Sequence, residues 1–191
     1  LQGFGRRRMT LPHGEIAHLV QYQVGALAGI ARAEGVRVAH LKLHGALANM
    51  AAEDAGRARA AYEAALAVEP DLTLFVIART AQQHAAEQIG APFAAEIFAD
   101  RAYEADARLV DRAHPHALIH DPALAARRMV EMVRRGAILP EDGAPIDTEI
   151  DTICLHGDGP QALAIARAVR AALEDAGIRL SAPWAGAVAE T

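Results

Sequence analysis

Apolar residues at Ile16, Leu19, Val20, Val24, Leu27 and Ile30 recur in steps of three and four. This spacing predicts an amphipathic helix over 14–34, stopped by Gly35. Val36 to Leu43 then reads as a strand and the alanine-rich stretch 49–68 as a helix. Leu72 to Ala78 is a near-continuous apolar run, the pattern of a strand covered on both faces. A short helix is predicted over 80–89, closed by Gly90, and a strand over 93–98. Residues 102–121 break the rhythm with mixed charge and the group His114, His116 and His120. They are read as a long loop, a lid or binding segment over one face. Pro122 opens a helix to Arg135, and Gly136 ends it. Pro140, Asp142-Gly143 and Pro145 mark a small hairpin or an excursion over 138–150. A last strand covers 152–155 and a last helix 160–176. The tail from Ser181 is expected to fray.

Strands alternating with helices imply parallel pairing through right-handed crossovers, an α/β fold in one domain over 1–191. The strands are few for a closed barrel, and the chain begins at Leu1 in residues that read as the interior of a loop. The expectation is an incomplete barrel whose first strands precede Leu1.

Composition narrows the classes. The 191 residues are 52% hydrophobic and 23% charged, ordinary for a globular protein with a real core. A net charge of -5 argues against nucleic acid as partner; Arg6-Arg7-Arg8 is the one basic run. No stretch approaches the roughly 18 uninterrupted apolar residues of a membrane helix, and no secretory signal is evident. A lone cysteine, Cys154, admits no internal disulfide and fits a cytoplasmic setting. Flanked by Ile153 and Leu155, it reads as a core residue.

In parallel α/β folds, ligands bind at the carboxyl ends of the strands. The strand ends here offer Lys42 and His44; Arg79 and Thr80; Glu96, Asp100 and Arg101; and His156 with Asp158. Imidazoles, carboxylates and a cation on one rim suit hydrolytic or amide chemistry. Plainer readings stand beside this one. His44 and Asp158 each fit a helix cap, Asp100-Arg101 a structural ion pair, and the loop histidines polar surface rather than a metal site. A phosphate loop, a dinucleotide fingerprint and a serine-hydrolase elbow are all absent from the sequence.

Several blocks together carry a resemblance. They are Leu1-Gln2-Gly3-Phe4-Gly5-Arg6-Arg7, Tyr22-Gln23-Val24-Gly25-Ala26-Leu27, and His40-Leu41-Lys42-Leu43-His44-Gly45-Ala46-Leu47-Ala48-Asn49. Glu96 to Arg101 and Thr152 to Asp158 complete the set. In this order they resemble the LamB/YcsF family along essentially the whole chain. The resemblance implies a (β/α) barrel of the seven-stranded deacetylase-like type. It also implies ATP-dependent hydrolysis of the lactam 5-oxoproline to glutamate, together with two further subunits, B and C. On that reading His44, His156 and Asp158 are candidates for proton transfer. Lys42, Asn49, Asp100 and Arg101 are candidates for binding substrate or phosphate, and no metal is assigned. Leu43 stands where the family has proline and Ala48 where it has tyrosine, departures expected to alter efficiency or substrate. The family's opening blocks have no counterpart here. Two alternatives remain open: a metal-dependent amide hydrolase, and a non-catalytic barrel fragment acting as an interaction module or homo-oligomer.

Overall fold

The computed structural model describes Gly5 and residues 7–182. Most of the block at 1–7, part of the arginine run, and the tail beyond Ala182 lie outside the described residues. The chain divides into two compact units, Leu1–Ala94 and Ala95–Thr191.

The first unit opens with α1 (His13–Ala33), whose buried face is Ile16, Val20, Val24, Ala28 and Ala31. Gly35 takes φ +71°, which lets the Val36 N–H bond back to the Ala31 carbonyl at 2.9 Å. Val36 is thereby drawn into the helix cap, and the strand predicted from 36 begins later, as β1 (His40–Lys42). The single helix predicted over 49–68 is two: α2 (Gly45–Glu53) and α3 (Ala55–Leu66). Asp54 separates them in an extended conformation and caps α3, its carboxylate accepting the Arg57 N–H at 3.0 Å. Then come β2 (Thr73–Ile77) and α4 (Ala81–Ile89), which is capped by the Thr80 hydroxyl. β1 and β2 are parallel, with Leu41 opposite Leu74.

Alanines at 51, 58, 61, 65 and 85 are fully buried, so α3 packs closely against both α1 and α4. One polar knot is buried in this core. Gln82, 1% exposed, donates to the Ala48 carbonyl at 2.7 Å. Its Oε1 accepts from the Tyr62 hydroxyl at 3.0 Å and from the Ile77 N–H at 3.1 Å. One side chain thus ties α2, α3 and β2 to α4 with every partner satisfied.

β3 (Phe93–Phe98) runs across the division between the units. The second unit continues with α5 (Pro122–Arg135), β4 (Ala137–Ile138), β5 (Ile146–Asp147), β6 (Thr152–Cys154) and α6 (Ala162–Asp175). β3 and β6 are parallel, with Phe98 opposite Cys154; β4 and β5 form the expected small hairpin. Cys154 is buried. α5 starts at Pro122 under the Asp121 cap, ends at Gly136 and packs on α6. Among the described residues, no helix is long and apolar enough to cross a membrane.

Segment 99–121 contains no helix, yet it is pinned. The Ala102 N–H bonds to the Ala117 carbonyl at 3.1 Å, Val110 N–H to Ala102 carbonyl at 3.1 Å, and Ile119 N–H to Asp100 carbonyl at 3.0 Å. Ala102, Val110 and Ala117 form its own small core.

Candidate active site

In the first unit the β1 exit carries Lys42 and His44. Both line a cleft of about 350 Å³ together with Gly5, Leu19, Val20, Gln23, Val24, Leu41, Leu43 and Leu47. Burial first, and the nearby Lys42 charge second, hold the His40 pKa below its ordinary value. His44 occupies the cap position of α2, but its side chain makes no capping hydrogen bond. The α2 N-terminus is held instead by the Gly5 carbonyl, which accepts the Ala46 N–H at 3.0 Å. That contact requires glycine at 45: its φ is +62°, and a Cβ there would overlap the Gly5 oxygen. Asn49 is exposed on α2. Gln23 is a cleft residue that periodicity alone assigns to no role; its one signal in the sequence is its place in a block of the family resemblance.

In the second unit the β3 and β6 exits meet. Asp100 follows β3 and His156 follows β6, and the parallel register of Phe98 with Cys154 places the two side chains level. His156 Nδ1 lies 2.8 Å from Asp100 Oδ2 and 3.0 Å from Oδ1. Both side chains are largely buried, 12% and 15% exposed, and Phe98 stacks on the imidazole with ring centroids 5.8 Å apart. Desolvation pushes the Asp100 pKa up. The hydrogen bond and charge of His156 outweigh it and hold the carboxyl below its usual value. A carboxylate held against one ring nitrogen fixes the tautomer and the orientation of the imidazole.

The neighbouring residues take different roles. Arg101 is 3% exposed, and its guanidinium donates to the carbonyls of Val110 at 2.6 Å and Ala117 at 3.3 Å. It clamps the loop from inside. Tyr103 is fully buried, its hydroxyl accepting the Phe98 N–H at 2.8 Å. Asp158 is half-exposed and pairs with Arg112. The next helix begins at Ala162 with Gln161 in the cap position, so Asp158 does not cap it. His114 and His116 are exposed on the loop. Among the described residues, no three His, Cys, Asp or Glu side chains are grouped to hold a metal ion.

The LamB/YcsF family model matches residues 1–187. The chain belongs to the LamB/YcsF family. Within this family it is 57% identical over 182 residues to the A subunit of a 5-oxoprolinase from Ruegeria pomeroyi, covering 95% of this chain and 72% of that protein. A relative of the same name from Rhodopseudomonas palustris is 49% identical over 187 residues, covering 97% of this chain and 73% of that protein. Among solved structures, a lactam utilization protein from Thermus thermophilus superposes with a TM-score of 0.84 at 41% identity. That match covers 94% of this chain and 72% of the other. The α/β architecture and the family resemblance read from the strand-exit blocks both stand.

Proposed function

We propose that this chain is the A component of an ATP-dependent 5-oxoprolinase that opens the 5-oxoproline ring to L-glutamate in the cytoplasm together with subunits B and C. Its parallel strands are read as part of a deacetylase-like, seven-stranded (β/α) barrel. The observation that carries the reading is the Asp100–His156 pair at the ends of two adjacent parallel strands. The relatives' names supply the substrate class.

Hydrolysis forms a bond from water oxygen to the lactam carbonyl carbon and breaks the ring C–N bond. A proton must leave the water, and one must reach the departing nitrogen. His156, oriented by Asp100, is assigned to that transfer through its Nε2. A lactam is a stable amide, and ATP bound by the assembled complex would supply activation of its oxygen. Lys42, His44 and Gln23 are the kind of polar set that meets a phosphate or carboxylate, and they share one cleft. Lys42 is suited to neutralising a phosphate there.

The deciding experiment combines the full-length protein with subunits B and C and follows glutamate release from 5-oxoproline. Release that requires ATP is the expected result. No release overturns the reading, and release without ATP selects a simple amide hydrolase instead.

A further inference from the structure

We propose that Arg112 binds the carboxylate of the lactam substrate, accepting it in exchange for Asp158. The inference rests on the lactam reading above. A ring bearing a carboxylate needs a cation near the proton-transfer pair. Arg101 is adjacent to Asp100, but it is buried and its guanidinium already serves the Val110 and Ala117 carbonyls. Arg112 is placed differently. Its side chain is 41% exposed, and its Nη1 stands 3.6 Å from Oδ2 of Asp158, two residues beyond His156.

That separation is longer than a charge-assisted hydrogen bond, and the pair is open to water on both sides. An exposed ion pair of this kind holds weakly and exchanges readily. A planar carboxylate offered to the guanidinium fork makes two parallel bonds instead of one long contact.

The backbone under Arg112 is already fixed. The Val110 carbonyl is gripped by Arg101 at 2.6 Å, two residues upstream. Asp111 turns the chain just beyond: its carboxylate accepts the Ala113 N–H at 2.8 Å, and its carbonyl accepts the His114 N–H at 2.9 Å. Arg112 is therefore presented from a held segment, so only its side chain has to reorganise on binding. Arg101 is then a positioning residue for Arg112.

The test uses the full-length protein in its complex with subunits B and C, and measures KM and kcat for 5-oxoproline. Losing a charge-assisted bond to the substrate raises KM about tenfold or more in Arg112→Met. kcat should stay within about threefold, because proton transfer is untouched. Arg112→Lys retains charge without the fork and should fall between Met and wild type. A KM within about twofold of wild type in Arg112→Met overturns the proposal. So does a fall in kcat at unchanged KM, which a merely structural role would give. Should the Met variant not fold, Arg112→Gln, which also lacks the charge, decides by the same criterion. A wild-type complex that does not turn over the lactam overturns the reading above and this inference with it. An active wild type with an indifferent Arg112 overturns this inference alone.

Discussion

His156 Nδ1 lies 2.8 Å from Asp100 Oδ2, joining positions 56 residues apart at the ends of two parallel strands. The carboxylate fixes the imidazole, so each residue depends on the other. His156→Gln is expected to lower kcat about 10²- to 10⁴-fold, with the thermal midpoint moving by only a few degrees. Asp100→Asn should also lower kcat, since an amide facing Nδ1 no longer fixes the ring's orientation and tautomer. Steady-state rates of the reconstituted complex check both. Full activity in either variant removes the pair from the chemistry.

The same relationship has an acid limb. The Asp100 pKa is held below its unfolded value, so its stabilising contribution is present above that value, roughly 4. It is lost as the pH falls through the lower, folded value. Tyr103 gives the alkaline limb. Burial raises its pKa, so the fold keeps this contribution below about pH 10 and loses it as the pH rises towards the folded value. Urea unfolding of wild type and Tyr103→Phe between pH 7 and 11 reads this directly. The Phe variant should be less stable at pH 7, because the Phe98 N–H loses its acceptor, and should fall less steeply above pH 10.

Gln82→Leu should destabilise the first unit by about 2–4 kcal/mol. It removes the buried hydrogen bonds that Gln82 makes to the Ala48 carbonyl, the Ile77 N–H and the Tyr62 hydroxyl. Tyr62→Phe removes the same Tyr62–Gln82 bond from the other side. The double variant should be less destabilised than the sum of the singles, a coupling that denaturant titration of all four proteins measures.

Gly45→Ala combines a positive φ with a Cβ driven into the Gly5 carbonyl. A loss of roughly 1–3 kcal/mol is expected. Hydrogen exchange should locate it at the α2 N-terminus, where the Ala46 N–H loses its bond to Gly5. Unchanged protection of Ala46 would show that the contact is dispensable.

Arg101→Met should free the loop without unfolding the unit. Amides of Ala102 and Val110, bonded across the loop, should exchange faster, while those of α5 stay protected. Equal acceleration in both would contradict the clamp.

How much of this was legible beforehand depended on how local each signal is. β3 and α5 lie where the sequence placed them, because Pro122 and Gly136 punctuate α5 and the apolar run of β3 has clear edges. The division of α2 from α3 was not legible. Asp54 looks like any exposed helix charge until its carboxylate is seen on the Arg57 N–H. The late start of β1 has a similar cause, since Val36 suits a strand by propensity but is captured by the helix end through Gly35. At the site, His156 and Asp100 were both visible as candidates, but their pairing is long-range and depends on the register of β3 with β6. Arg101 reads in the sequence as a rim cation for substrate or phosphate, or as an ion-pair partner of Asp100, and only the folding back of 102–118 explains why it is buried.

Asp100 and Arg101 are consecutive, yet one reaches His156 and the other reaches into the loop. Inserting or deleting one residue between Phe98 and Arg101 would aim each side chain where its neighbour belongs, so natural length variation should be barred from these few positions. The turn around Asp106 is bound in the same way: its carboxylate holds Arg108, and Ala107 beside it is buried at φ +68°, so a change of length there would break a closed turn as well.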